Sequence, residues 1–468
     1  MALSSHRKVA PICGAALATP PSRFERLTVS KAPGSAGGYL HAERGTAEKN
    51  VGRPEQISSF GELMATLTLT CENSTPAEAV AAAPAARFRI ESVDFLRGVV
   101  MILMALDHTR DFLGVNTTSP TDLGHTTIPL FFTRWITHFC APVFFLLTGT
   151  GAYLSLRRKS KGQLSRFLFT RGLWLIFLEC TLFRCLGFQF NFDYHVTLLN
   201  VLWALGWAMT VLSVLVHLPI PVTTALGTIM IAGHNSLDFI RSSNPIWSIL
   251  HSPNFILQSP QHSVFVVYTL IPWVGVTAVG YGLGRIYDWT SRSRRTFLLR
   301  AGLVLMAAFV VLRGINVYGD PLRWTMQKSA LFTALSFLNT CKYPPSLLFL
   351  LMTLGPALVL LCVVERKTPE LLRPALVFGR VPMFYFLLHI PLIHLIAVGA
   401  CYARYGHAHW MFESPSISQF PITTPPGWGF SLSIVYVFWI GVVIALYPLC
   451  RWFAAVKQRR SGTWLSYF

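Results

Sequence analysis

From about residue 90 onward, long apolar runs alternate with short polar gaps. A helix needs about 20 apolar residues to cross a bilayer, and at least nine runs reach or approach that length. The candidate spans, beginning near Val93, are Val93–Leu113, Ile128–Tyr153, Phe167–Cys185, Thr197–His217, Pro221–Ile240, Val264–Ile286, Phe297–Arg313, Ser346–Val364, Pro374–Cys401 and Trp428–Phe453. The fifth is the least regular, because it contains His234, Asn235 and Asp238. Backbone polar groups must be satisfied internally within lipid, so the spans are read as helices. The ten-residue alternating segments of an outer-membrane barrel are absent. The pattern predicts an all-α polytopic integral membrane protein with about ten transmembrane helices.

The first 85 residues break this pattern. They are rich in Ala, Gly, Ser, Pro and Thr without a sustained apolar period, and are expected to be disordered. Ala10–Ala18 is too weakly apolar for a signal peptide. Met64 is an alternative start to Met1. The domain reading is therefore a disordered extension over 1–85, a membrane domain over 88–455 and a basic cytoplasmic tail over 456–468.

Charge sharpens the picture. Only 13% of residues are charged, against about 25% in soluble domains, while the net charge is +19. The cations sit in loops. Arg157–Arg166, Arg285–Arg300, Glu365–Arg373 and the tail are basic, whereas Gly114–Thr127 and Gly187–Val196 hold no Lys or Arg. Loop charge of this kind is an orientation signal rather than a nucleic-acid surface, and it places both termini in the cytoplasm. Gly314–Lys342 departs from the alternation, carrying Arg323, Lys328 and Lys342 on the outer side. Its Trp324–Leu338 run is expected to form an amphipathic interfacial helix. The nine Cys include no CxxC pair, so neither a disulfide framework nor a zinc site is expected, and no metal is assigned.

Ionisable groups inside spans are costly and usually face a cavity or a partner. The first span holds Asp94, Arg97, Asp107, His108, Arg110 and Asp111. Three-and-four spacing puts Asp94, Arg97, Met101, Met104, His108 and Asp111 on one stripe. Arg97 lies toward the cytoplasmic end and His108 toward the outer end, eleven residues and about 16 Å away. His108 can meet Asp111, and Asp107 can meet Arg110 or Asp111. An imidazole at an outer-leaflet cavity can move protons near neutral pH, while the same acids and Arg110 can equally fix helix packing. In the second span Arg134 and His138 share a face ahead of Pro142, either lining a cavity or with Arg134 snorkelling to the interface. In the ninth, Arg380, Pro382, Tyr385 and His389 precede Pro391; His389 is as consistent with a packing hydrogen bond as with chemistry. Arg171 and Glu179 read as packing groups. Asn191–His195 reads as a turn or interface anchor more readily than as a ligand, and so does Lys342–Ser346, which could place the cation of Lys342, with Tyr343, at a cavity mouth. No Walker loop, GxSxG, HExxH or dinucleotide fingerprint is present.

Ser92-Val-Asp-Phe-Leu-Arg-Gly98 running into Met104-Ala-Leu-Asp-His-Thr-Arg-Asp111 resembles the opening of a bacterial membrane family. That family is grouped with the catalytic domain of heparan-alpha-glucosaminide N-acetyltransferase. Phe144–Gly149, Lys342-Tyr-Pro-Pro-Ser-Leu347 and Gly379-Arg-Val-Pro-Met-Phe-Tyr385 with His389 are similar to later segments of it, so the resemblance covers about residues 88–455. The Asp-x-x-Arg-Gly opening and the late Tyr–His helix are shared more widely, including with membrane O-acyltransferases that modify surface glycans. Arg97 matches the family's opening Arg, and His108 the histidine of its bacterial branch. One position departs: where the lysosomal enzyme has an Asp ahead of its Pro-Phe segment, this chain has His138.

The resemblance implies transfer of an acyl group, acetyl foremost, from cytoplasmic acyl-CoA to an amine or hydroxyl of a sugar or glycan acceptor across a bacterial inner membrane. On that reading His108, Asp107, Asp111 and His389 are the catalytic candidates. Arg97, Arg110, Arg134, His138, Lys342, Tyr343, Arg380 and Tyr385 are the acyl-CoA and substrate-binding candidates. The rival is a proton-coupled transporter or flippase of a lipid-linked or polar solute; the Asp-x-x-Arg-Gly cluster has no second copy, as the internal repeats common in transporters would supply. A purely structural membrane protein fits the density of buried charge less well. The direct or acyl-enzyme route and any homo-oligomer are left open.

Overall fold

The computed structural model describes residues 90–115, 119–365, 370–414 and 421–459. The expected disorder of 1–85, the start at Met64 and the tail beyond 459 fall outside the described residues.

Helix α1 (Glu91–Leu113) is the axis about which the rest is arranged, and most of its side chains are buried. Its neighbours include α2 (Ile128–Thr137), α3 (Cys140–Ser155), α11 (Leu347–Val364), α12 (Pro374–Arg380), α13 (Pro382–Tyr405) and α14 (Leu432–Arg459). A helix covered on nearly all sides can hold charge that lipid would not tolerate, provided its neighbours supply partners. Around this centre run α4 (Lys161–Leu178), α5 (Val201–Leu215), α6 (Ile220–Gly233), α7 (Pro245–Leu250), α8 (Leu270–Leu283), α9 (Ser291–Ile315) and α10 (Ala330–Leu338).

Each of the ten apolar runs contains a helix. Five helices are long and apolar enough to cross a membrane by length and composition: Ile128–Ser155 (α2 with α3), α9, α11, α13 and α14. Helix α9 exposes Leu303, Val304, Val310 and Val311, and α14 exposes Val437, Ile440 and Ile444. Aliphatic stripes of this length are unfavourable in water and are what a lipid-facing surface requires.

The helices approach closely where glycine faces backbone. A Cβ placed on Gly98 would lie 1.8 Å from the Ala375 carbonyl oxygen, and one on Gly379 1.7 Å from that of Asp94, so α1 and α12 touch main chain to main chain. Gly149 of α3 and Gly280 of α8 make a second such crossing. Small residues at helix crossings let dispersion replace the hydrophobic drive that lipid removes.

Two spans are broken near prolines. The second passes from α2 to α3 at His138 and Phe139, where Pro142 has no N–H to give to the carbonyl four residues earlier. The ninth divides at Val381, immediately before Pro382, as expected for a residue preceding proline. The third runs from α4 into a π-helical stretch, Glu179–Phe188.

The all-α expectation needs one correction. Strands β1 (Val196–Leu199), β2 (Phe255–Gln258) and β3 (Ser263–Val266) form a small sheet in the order β1-β3-β2. Val196 pairs with Ser263 and Leu199 with Val266 in parallel, and β2 runs antiparallel to β3. The predicted spans starting at Thr197 and Val264 therefore begin as strands; short β-branched apolar runs carry no periodicity that separates strand from helix. The helix expected over Trp324–Leu338 is confined to Ala330–Leu338. Buried Arg313 donates to the Leu322 carbonyl ahead of it and to those of Ser336, Phe337 and Asn339 at its end, and Asn316 bonds the Trp324 backbone. Glu179 accepts the Leu202 N–H at 2.9 Å, capping the start of α5, which is the packing role expected of it.

Candidate functional site

One turn of α1 creates the first part of the site. Asp107 and Arg110 are three apart, so their side chains meet, with Arg110 Nη2 2.9 Å from Asp107 Oδ1. Helix α2 brings Arg134 to the same carboxylate, its Nη1 2.7 Å from Oδ1 and also bonded to Oδ2. Arg134 thus turns inward, and the snorkelling alternative does not hold. Arg110 Nη2 also pairs with Asp111. Asp107 is 9% exposed and Arg110 4%. Arg110 Nε and Nη1 are buried without a hydrogen-bond partner.

The second part joins α1 to α13, helices far apart in the chain. His108 of α1 and His389 of α13 stand with ring centroids 5.3 Å apart, and Phe188 closes on His108 at 5.9 Å. His389 is fully buried. Its Nδ1 lies 2.8 Å from the Phe386 carbonyl and 3.2 Å from that of Tyr385. Carbonyls accept only, so Nδ1 carries the proton and Nε2 holds a lone pair. That Nε2 has no hydrogen-bond partner, and neither has the Tyr385 hydroxyl, although the Tyr385 ring stacks on His389 at 5.3 Å. The rings about His108 are the His389 imidazole and the Phe188 phenyl. The charges of Asp107, Asp111, Lys342 and Arg110 all act on it.

The third part is the turn before α11. Lys342 is 7% exposed, with Nζ 5.3 Å from the Tyr343 ring centre. Its charge reaches Asp107, His108 and His138. Asp320 fixes this turn by accepting from the Cys341 N–H at 3.0 Å and the Ser346 hydroxyl at 2.6 Å. Ser346 in turn caps α11 through the Phe349 N–H. Burial raises the Asp320 carboxyl above the ordinary range. His138, at the α2–α3 break, sets its ring edge-on to Phe349 at 5.4 Å and has a buried Nδ1 without a partner.

The opposite end of α1 is separate from this cluster. Arg97 donates to the Leu147 carbonyl at 2.9 Å and lies 3.5 Å from Asp94. Met101 and Met104 occupy the buried interval between Arg97 and His108. Arg380 closes α12, the helix pressed against α1, and its buried Nε has no partner. Arg157 pairs with Asp288, whose carboxyl is held below the ordinary range by the Tyr153 hydroxyl and by Arg157.

Two contributors escape sequence reading. Phe188 is one aromatic among many, and Tyr268, whose ring lies 5.3 Å from that of Tyr343, has no pattern to mark it. Asn191–His195 is a built turn, as favoured: Arg184 bonds Asn191 and Asp193, and His195 Nδ1 lies 3.0 Å from the Gln261 carbonyl. Among the described residues no three His, Cys, Asp or Glu side chains gather in a metal-holding arrangement.

Residues 89–318 match the family model described as heparan-alpha-glucosaminide N-acetyltransferase, catalytic. A search of curated proteins finds no match to the chain. The matched stretch carries Arg97, Asp107, His108, Arg110, Asp111, Arg134 and His138. It ends before Lys342, Tyr343, Arg380, Tyr385 and His389.

Proposed function

With residues 89–318 falling in the catalytic-domain family of heparan-alpha-glucosaminide N-acetyltransferase, we propose that the protein moves an acyl group, acetyl foremost, from cytoplasmic acyl-CoA to an amine or hydroxyl of a sugar or glycan beyond a bacterial inner membrane. The chain crosses that membrane ten times with both termini in the cytoplasm, a reading supported by the loop charges and by a helix in every apolar run.

The observation that carries the chemistry is the pairing of His108 with His389. Two imidazoles face one another, and one of them has a fixed donor nitrogen and a bare Nε2. Such a lone pair in a buried site can take a proton from an acceptor N–H or O–H. The acceptor atom bonds to the thioester carbonyl carbon, its proton passes to imidazole, the C–S bond breaks, and the departing CoA thiolate recovers that proton. Asp107 and Asp111 lie near enough for their negative charge to act on His108 as the proton arrives. Tyr385 holds the His389 ring plane. At the other end of α1, Arg97 and Arg380 with the outlying Arg157 and Arg158 suit the phosphates of CoA. The buried interval past Met101 and Met104 gives the acyl arm a route between the faces.

The same imidazoles would also serve a proton-coupled transporter. The two readings separate in one experiment. Purified protein in proteoliposomes is given radiolabelled acetyl-CoA, and release of CoA thiol is followed. Wild type is expected to turn it over, with His108→Ala and His389→Ala slowed by about 10²–10⁴-fold. Full activity in His108→Ala would remove that residue from the chemistry. Solute uptake that needs no CoA would favour the transporter.

A further inference from the structure

The cluster around Asp107 holds more positive charge than it neutralises. Arg110 and Arg134 share Asp107, and Arg110 also pairs with Asp111. Lys342 adds a third cation to the two carboxylates, and no carboxylate lies within ion-pair distance of it among the described residues. It is nine-tenths buried all the same. Arg110 is buried deeper still, and it spends one nitrogen on both acids while Nε and Nη1 bond to nothing. Lys342 has a ring face in place of an anion and Arg110 leaves two nitrogens unbonded, and burying cations so incompletely paired is costly. Such an arrangement is suited to a site where negative charge arrives during the reaction. The donors are also held in place beforehand. Asp320 and Ser346 fix the Lys342 turn, and the two carboxylates fix Arg110. Donors that need no reorganisation are the most effective at stabilising a developing charge.

We propose that the Lys342 ammonium and the unused edge of the Arg110 guanidinium form an oxyanion site for the thioester carbonyl oxygen. This rests on the acyltransferase reading above and adds to it the groups that receive the charge. As the acceptor atom bonds to the carbonyl carbon, the π pair moves onto oxygen, where Lys342 and Arg110 meet it. The imidazole takes the acceptor's proton. The pair returns, the C–S bond breaks, and CoA leaves as thiolate and is protonated. Arg134, whose nitrogen is committed to Asp107, positions the carboxylate and takes no part in holding the oxyanion.

The test uses the full-length protein in nanodiscs with acetyl-CoA. Lys342→Met keeps the length of the side chain and removes the charge. It is expected to lower kcat by about 10²–10³-fold with KM for acetyl-CoA changed little, and Lys342→Arg should recover part of the loss. A wild-type kcat in Lys342→Met, or a loss confined to KM, overturns the proposal. A second measurement needs no variant. A trifluoromethyl ketone analogue of acetyl-CoA, which hydrates to a tetrahedral centre, should inhibit wild type at least about 10²-fold more tightly than the plain methyl ketone. Turnover of acetyl-CoA with ketones of equal affinity overturns the oxyanion site alone. Wild-type protein that neither turns over acetyl-CoA nor binds either ketone overturns the acyltransferase reading, and the oxyanion site with it.

Discussion

Asp107→Asn is expected to destabilise the protein by about 3–5 kcal/mol and to lower the yield of folded material. The carboxylate is the shared partner of Arg110 and Arg134, which belong to different helices. Removing its charge leaves two cations inside the protein with only Asp111 to balance them. The amide keeps the shape, so the loss reports charge rather than a cavity. The measurement is thermal unfolding of purified protein in detergent, with Arg134→Gln and the double variant alongside. Because the groups are coupled, the double variant should fall less far than the sum of the singles. An Asp107→Asn protein that melts with wild type would show that the cluster has no such role.

Gly379→Val should give no properly assembled protein, and Gly379→Ala should already be impaired. A Cβ there would lie 1.7 Å from the Asp94 carbonyl oxygen and 2.6 Å from its carbon. Both are backbone atoms, so no rotamer change relieves the overlap; α1 and α12 must separate. Overpacking in a well-packed core costs about 1–3 kcal/mol, and more where main chain must move. Separation would also shift Arg97, the residue before Gly98, against the Leu147 carbonyl it bonds. Gly441→Ala is the control, since nothing lies within 4 Å of a Cβ at that position. The readout is the size-exclusion profile of a fluorescent fusion. Equal profiles for Gly379→Ala and Gly441→Ala would sink the argument.

The parts of this architecture that depend on local spacing were legible in the sequence. Apolar run length located a helix in every candidate span. The three-residue separation of Asp107 and Arg110 gave their contact. What sequence could not give depends on which helices become neighbours. Spacing sets Arg134 beside His138 on its own helix, yet its partner is Asp107 across the α1–α2 contact. His108 and His389 come from helices far apart in the chain, and no local rule pairs them. The sheet was missed for a different reason: Val196–Leu199 and Ser263–Val266 are too short and too apolar for a period to show. Helix α10 begins later than the apolar run suggests because Asn316 bonds the Trp324 backbone, and Ser336 and Thr333 accept the Thr325 and Gln327 N–H groups.

His108 and His389 lie on opposite sides of the point where the family match stops, as do Arg110 and Lys342. Inheritance of the matched stretch is therefore not the same as inheritance of the whole site. A homologue could keep α1 and α2 unchanged while drift at the Lys342 turn or along α13 retuned or silenced it. Comparing relatives over the first part alone would group working and lapsed versions together. On the proposed reading, the residues that would tell them apart are encoded downstream, in the part that carries Lys342, Tyr385 and His389.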